Sequence, residues 1–413
     1  MHTRPGSEAQ AATGNGGPAA VRRPFFRATG ALSWLLLAVA LVAALASLST
    51  ALMVPRWINW QLRLLITGLS GETGYHYLIV PLALAGTAGL LRARHRVTAT
   101  ATLLCSVLAF ALMAKPVAQA WWIGRTLPDR LAAAFGPGEV DRRPFSFCAL
   151  YATLPAPVPA GDVASGELRL ELMPAMGRSP APCVISLHGG GWFGAGYRDR
   201  RSFNLWLVRH GYAVATVGYR VLPNARWPQP RDDVLRAIVF LRAHATEFGI
   251  DPRKIVLLGR SAGAQIALAT AYAAHDPGIC GVVGLYAPTD LHLASALPAT
   301  GGVLLHGLNQ RQIVETFLGG TPDTAGANYD SASAVSLVDG NSPPTLLIHG
   351  LLDSTLPISQ SEALAAKLTA AHRPNALIIV PWASHAFDTV NFDGPGGQIT
   401  TYSVARFLAA VTR

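Results

Sequence analysis

The stretch Lys254-Ile-Val-Leu-Leu-Gly259-Arg260-Ser261-Ala262-Gly263, continued by Ala264-Gln-Ile-Ala-Leu-Ala-Thr-Ala-Tyr272, decides how the whole chain reads. An apolar β-type run leads into a Gly-Xaa-Ser-Xaa-Gly turn and then into an alanine-rich helix, the strand-turn-helix context of a nucleophile elbow. Glycine is required at 259 and 263 because the turn is so sharp that side chains there would meet the neighbouring strand and helix. Ser261 is thereby held at the tip. The helix that begins beside it aims backbone N–H groups and the positive end of its dipole at any oxyanion that forms there. An ordinary Gly/Ser turn would carry the same pentapeptide, so the flanking strand and helix distinguish this one.

Upstream, Cys183-Val-Ile-Ser-Leu-His188-Gly189-Gly190-Gly191-Trp192 is a strand that ends in a glycine-rich turn. Acyl transfer through a serine passes through a tetrahedral oxyanion, and consecutive glycines let backbone N–H groups approach it unobstructed. Gly190, Gly191 and Ala262 are the expected oxyanion-hole donors. Downstream, the serine needs a base and an acid to orient that base, and elbow enzymes carry them in the order Ser, Asp or Glu, His. Thr345-Leu-Leu-Ile-His349-Gly350-Leu-Leu-Asp353 is a strand followed by a loop carboxylate. Ala376-Leu-Ile-Ile-Val-Pro381-Trp-Ala-Ser384-His385 is a strand followed by a loop histidine. Asp353 and His385 are the expected partners of Ser261, with Asp290, after the Gly281–Leu285 run, as the competing acid. Of the other histidines, His210 and His244 fall in helical patterns, His349 lies on a strand, and His188 is expected to brace the glycine turn.

Strand-like runs at Glu167–Leu172, Cys183–Leu187, Ala213–Val217, Ile255–Leu258, Gly281–Leu285, Thr345–Ile348 and Ala376–Val380 alternate with helical patterns such as Asp232–Ala245 and Gln360–Ala371. That alternation predicts an α/β class domain over residues 161–413, a mostly parallel sheet with helices on both faces.

From about residue 180 to 390 the chain resembles the α/β-hydrolase carboxylesterases of the hormone-sensitive-lipase-like type, including relatives similar to prenylcysteine methylesterases and kynurenine formamidases. The motifs that carry the resemblance are His188–Trp192, Tyr219-Arg220-Val-Leu-Pro223 with Trp227-Pro228 and Asp232-Asp233, Gly259–Gly263, Asp353 and His385. The resemblance implies an α/β-hydrolase fold and a cofactor-independent serine hydrolase with Ser261, His385 and Asp353 as its triad, acting on a small-molecule or lipid-like ester. The sequence departs from that pattern at Arg260, where Glu or Gln is frequent, and at Ala264, where a further glycine is common. Arg260 is expected to alter the charge of the pocket. Trp192, Phe193 and Tyr286, near strand ends, are expected to line an apolar acyl pocket, and residues 291–320 to form a cap. The triad alone does not choose among water, amine and alcohol as acyl acceptor, so a serine peptidase or an acyltransferase on the same fold stays open, as does an inactive membrane scaffold.

The N-terminal part lies outside the resemblance. With 51% hydrophobic and only 14% charged residues, the 413-residue chain is too apolar to be wholly water-soluble. Residues 1–144 hold fourteen Lys/Arg against five Asp/Glu, whereas residues 145–413 hold nineteen against eighteen, so the net charge of +10 belongs almost entirely to the apolar part. Arginines flanking membrane spans explain this better than phosphate binding, and no nucleic-acid partner is expected. Residues 1–30 read as a disordered tail. Three spans follow, at about 31–54, 74–91 and 97–114. A cleaved signal peptide is the alternative for the first, but the run is long for one and two more spans follow. The predicted class is therefore an all-α transmembrane segment of about three helices ahead of the hydrolase.

The prolines between 115 and 160 mark a juxtamembrane connector. Trp57, Trp60, Trp121 and Trp122 fall just beyond span ends, where indole rings favour the headgroup region. By the positive-inside rule, the basic residues before the first span and Arg92, Arg94 and Arg96 between the second and third belong to the cytoplasm. The catalytic domain is then extracytoplasmic, or cytoplasmic if only two segments span. The four cysteines form no disulfide framework. Cys148, in the connector, is left without a nameable partner, and no zinc-spaced cluster or Walker loop is present.

Overall fold

Eight strands among the described residues build one sheet: β1 (Gly161–Ser165), β2 (Leu168–Met173), β3 (Ala181–Leu187), β4 (Ala213–Gly218), β5 (Ile250–Arg260), β6 (Ile279–Leu285), β7 (Thr345–Gly350) and β8 (Asn375–Val380). Their order is β1-β2-β4-β3-β5-β6-β7-β8, with β2 antiparallel to both β1 and β4 and every later pairing parallel. This is the α/β-hydrolase fold. The computed structural model describes residues 19–55, 58–151, 161–165, 168–194, 196, 201–297 and 307–413. Residues 1–18 of the expected tail, Trp57, residues 152–160 of the expected connector, Glu167 and residues 298–306 of the expected cap lie outside the described residues.

The central strands are apolar on both faces because helices cover both. All seven residues of β3 are buried. Cys183, Ile185 and Leu187 face one layer and Val184 the other, as the two-residue strand period requires. The first layer includes the helices Gln229–Ala243, Ala262–Ala274 and Ser359–Ala370, and the second includes Arg201–Arg209 and Pro395–Val411. With the parallel strands in register, Ser261, Asp353 and His385 all follow the C-terminal ends of their strands, at one edge of the sheet.

Among the described residues four α-helices precede the sheet: α1 (Ala19–Ser47), α2 (Trp60–Gly71), α3 (Ile79–Leu91) and α4 (Arg96–Phe135). Among the described residues three segments, Thr29–Thr50, Gly74–Leu91 and Arg96–Phe135, are long and apolar enough to cross a membrane. Two expectations are corrected here. The tail does not run to residue 30, since α1 begins at Ala19. Nor does a connector begin at 115: α4 continues unbroken to Phe135 with Pro116 and Pro128 inside it.

Each of those prolines removes one helical N–H donor, a local cost that packing outweighs. Lys115 Nζ donates to the Thr50 carbonyl beyond α1 at 2.5 Å. Leu127 and Leu131 are fully buried in the second layer of the hydrolase core, and burial of each contributes about 2 kcal/mol. The last turns of α4 are thus a layer helix of the sheet.

Candidate active site

β5 delivers Ser261 into the turn with φ 51° and ψ −121°, a left-handed conformation that costs a non-glycine residue about 1–3 kcal/mol. Its backbone N–H donates to the Leu285 carbonyl at 3.0 Å, tying the strained residue to β6. The glycine requirement is steric. A Cβ at Gly259 would collide with the Gly263 carbonyl, and one at Gly263 with the His188 carbonyl.

β7 and β8 deliver the partners. His385 Nε2 lies 3.0 Å from Ser261 Oγ, and His385 Nδ1 lies 2.7 Å from Asp353 Oδ2. The other carboxylate oxygen of Asp353 accepts from the backbone N–H groups of Thr355 (2.8 Å) and Leu356 (2.9 Å). His349 Nε2 stands 3.4 Å from Asp353 Oδ2 and bonds the Leu356 carbonyl at 3.0 Å, while its Nδ1 meets Ser361 Oγ at 2.7 Å. Burial by itself would raise the carboxyl pKa of Asp353. The adjacent His385 and the hydrogen bond from His349 outweigh it and hold the group well below the usual carboxylate range. An ionised Asp353 keeps the imidazole Nδ1 protonated and leaves Nε2 free to accept from the serine. Asp290 is elsewhere. Its carboxylate caps the helix Leu291–Ala296 through Leu293 N–H at 2.9 Å.

Gly189, Gly190 and Gly191 line the same cavity as Ser261, with Gly190 at φ 115° and Gly191 at φ 59°. Among the described residues none accepts a hydrogen bond from the N–H groups of Gly190, Gly191 or Ala262, so all three are open to an oxyanion. The surrounding motifs brace this loop. Tyr219 stacks on His188 at 4.2 Å and donates from its hydroxyl to the His188 carbonyl at 2.7 Å. Arg220 grips Asp233 through its backbone N–H (2.7 Å) and its guanidinium (2.9 Å). His188 therefore supports the loop, as expected of it, and its Nδ1 donates to the Gly189 carbonyl at 2.7 Å.

The cavity beside Ser261 measures about 310 Å³ and is mostly apolar, with Trp192, Tyr286, Ile313, Val314, Leu356 and Leu64 in its wall. Trp192, itself at φ 61°, is locked by its indole N–H to Gln265 Oε1 (3.0 Å) and by stacking on Phe317 at 4.5 Å. Tyr286 turns its ring edge to His385, 4.8 Å between centroids, and donates its hydroxyl to Asp388 at 2.6 Å. Phe193 is corrected: it packs against the core layer and is not among the residues lining the cavity, because the turn closed by its N–H on the Gly190 carbonyl at 3.1 Å carries it there. Of the expected cap, the described helix Gln310–Leu318 supplies Ile313 and Val314. The charge of Arg260 is matched. Its Nε donates to Asp388 Oδ2 at 2.6 Å, with both side chains buried.

Among the wall and support residues that escaped the sequence reading are Leu64, Leu356 and His349. The pattern His349-Gly-Leu-Leu-Asp353 could have exposed the last, since it places both side chains at one strand end. Among the described residues no three His, Cys, Asp or Glu side chains are grouped to hold a metal ion. Cys148 is exposed and unbridged.

Comparison with known proteins places esterases beside this chain. A family model described as BD-FAE matches residues 171–368. Esterase LipC of Mycobacterium tuberculosis is 30% identical over 253 residues, covering 58% of this chain and 60% of that protein. The probable carboxylic ester hydrolase LipM of the same organism is 27% identical over 240 residues, covering 56% of this chain and 54% of that one. The chain thus spans between half and two thirds of the length of these curated relatives. The solved structure of an arylesterase superposes with a TM-score of 0.53 at 22% identity, over 71% of this chain and 93% of the other, and establishes the shared fold.

Proposed function

We propose that the protein is a membrane-anchored serine hydrolase that cleaves carboxylic esters through an acyl-enzyme. Ser261 Oγ attacks the ester carbonyl while His385 Nε2 takes its proton. The N–H groups of Gly190, Gly191 and Ala262 receive the oxyanion, and His385 returns the proton to the leaving alcohol. Water, activated by the same imidazole, then releases the acid. Asp353 holds the imidazole and stabilises its cation. Trp192 and Tyr286 bound the acyl side of the cavity, and no cofactor enters any step.

The observation that carries this reading is the unbroken line Asp353–His385–Ser261, at 2.7 and 3.0 Å, ending in an apolar cavity under three free N–H groups. Its esterase-named relatives favour an ester over an amide substrate. Thr29–Thr50, Gly74–Leu91 and Arg96–Phe135 act as the anchor, with the catalytic domain on the extracytoplasmic side. Ser261→Ala should lower kcat on a short aryl ester by at least about 10⁴-fold and abolish labelling by a fluorophosphonate. Labelling that persists in the variant rejects the assignment.

A further inference from the structure

We infer that α2 is a lipid-facing portal to the cavity, so that the ester cleaved at Ser261 is a long-chain lipid ester drawn from the adjoining membrane leaflet. This inference rests on the reading of Ser261 as nucleophile. It begins with the side chains of α2. The helix is capped by Asn59, whose Oδ1 accepts from Gln61 N–H at 2.9 Å, and runs through Leu62-Arg63-Leu64-Leu65-Ile66-Thr67-Gly68-Leu69-Ser70.

Its polar residues point inward. Arg63, 4% exposed, donates from Nη1 to Ser354 Oγ at 3.0 Å, beside Asp353. Thr67 and Ser70 are buried too, and Ser70 Oγ donates to the Ala46 carbonyl of α1 at 3.1 Å. The leucines at the i, i+3 and i+7 positions point outward instead: Leu62, Leu65 and Leu69 are 47%, 55% and 45% exposed. A helix against water shows the opposite pattern, because each exposed leucine forgoes about 1.5–3 kcal/mol of burial and arginine is the residue left in solvent. An inverted helix is stable where its outer medium is apolar.

The medium is identified by continuity. α2 lies in the chain between Thr50 and Gly74, where two of the bilayer-length segments end and begin, and those segments also turn large apolar side chains outward, such as Val42 and Ile79. The outer face of α2 therefore continues the lipid-facing surface at the level of the bilayer boundary. On its remaining side the same helix reaches the reaction. Leu64 lines the cavity together with Ser261 and His385. One turn of α2 thus separates lipid, at Leu62 and Leu65, from the cavity, at Leu64. An acyl chain already in the leaflet reaches the apolar cavity past α2 without crossing water, whereas a water-soluble ester gains nothing from that face.

The test uses the full chain reconstituted in phosphatidylcholine vesicles, with Leu62→Asp combined with Leu65→Asp. Turnover of water-soluble p-nitrophenyl acetate should stay within about twofold of the parent. Turnover of a long-chain diacylglycerol carried in the vesicles should fall roughly tenfold or more. Unchanged diacylglycerol turnover, or an equal fall on both substrates, overturns the inference. A photoreactive p-benzoylphenylalanine substituted for Leu65 gives a second readout that adds no charge: crosslinking to lipid supports the portal, and crosslinking to a second copy or to another protein rejects it. The underlying reading fails separately, if Ser261→Ala retains p-nitrophenyl acetate turnover.

Discussion

The indole N–H of Trp382 donates to the Glu72 carboxyl at 2.9 Å, and so joins the residue that follows α2 to the loop that carries His385. The other Glu72 oxygen accepts the Gly396 N–H at 2.9 Å. Asn391 Nδ2 reaches both the Glu72 carbonyl (3.3 Å) and the Tyr75 hydroxyl (2.9 Å). The loop is built to close on this carboxyl, since a Cβ at Gly394 or Gly396 would press into Glu72 itself. The N-terminal helices are consequently part of the frame that holds the histidine.

Burial pushes the Glu72 carboxyl from its ordinary value of 4.5 up to about 7, against the hydrogen bonds from Trp382 and Gly396 that favour the ion. A folded-state value above the unfolded one means that the native protein holds the extra proton between those limits. Stability from this group is thus complete below pH 4.5 and is lost as pH rises to about 7, by on the order of 3 kcal/mol. Glu72→Gln removes that slope, but it turns an amide N–H toward one of the two donors, a cost of about 1–3 kcal/mol. The variant should therefore melt well below the parent at pH 5, with the gap narrowing by pH 8. Thermal unfolding of the detergent-solubilised proteins across that range measures it, and a gap independent of pH would show that Glu72 does not titrate.

The two candidate acids separate cleanly. Asp353→Asn leaves the imidazole facing an amide that no longer fixes its tautomer, and kcat should drop by about 10³–10⁴-fold with a small change in KM. Asp290 caps a short helix, a task asparagine performs as well, so Asp290→Asn should leave kcat within about twofold. Steady-state kinetics of both variants on one aryl ester decide the matter. The reverse ranking would make Asp290 the acid.

What the sequence makes legible is local or ordered along the chain. The elbow is one strand, one turn and one helix, and the glycine at 259 is demanded by a contact only four residues away, at the Gly263 carbonyl. Asp353 and His385 each follow an apolar run in the required order, so a one-dimensional pattern suffices. What stayed hidden depends on distant partners. α2 reads as an inter-span loop until Arg63 is seen on Ser354 and Leu64 in the cavity wall. Pro116 and Pro128 read as breakers because propensity is local, whereas the burial of Leu127 and Leu131 that overrides them is not. Phe193 failed as a pocket residue for another reason, a tight turn closed on the Gly190 carbonyl that no apolar pattern announces.

The reach of α4 into the hydrolase core is measurable. Leu131→Ala should destabilise the hydrolase domain by roughly 2–5 kcal/mol, the cost of a fully buried leucine and its cavity. Exposed Leu104, on the same helix but within the apolar segment, is the control, and Leu104→Ala should change domain stability by less than about 0.5 kcal/mol. Loss of esterase activity during denaturant titration in detergent reports both. Equal effects would mean that α4 acts only as an anchor.

The proposed extracytoplasmic placement of Ser261 draws on contacts and charge together. Arg63 on Ser354 and Glu72 on Trp382 tie the stretch between Thr50 and Gly74 to the hydrolase domain, so both lie on one side, as crossings by all three apolar segments would require. The turn Arg92-Ala-Arg94-His95-Arg96 joins α3 to α4 at the opposite end. The positive-inside rule assigns that turn to the cytoplasm and hence the hydrolase domain to the outside. The basic residues beyond the apolar part of α4 oppose this assignment less than their number suggests, because internal contacts engage them. Lys115 donates to the Thr50 carbonyl, Arg130 to the Leu377 carbonyl at 3.1 Å, and Arg125 lies over the rings of Trp121 and Trp122 at 5.2 and 5.5 Å. Alkaline phosphatase fused after Arg413 in a bacterial host should therefore be active, and a fluorescent protein at the same position dark. Bright fluorescence with no phosphatase activity would place the catalytic domain in the cytoplasm and turn the whole arrangement over.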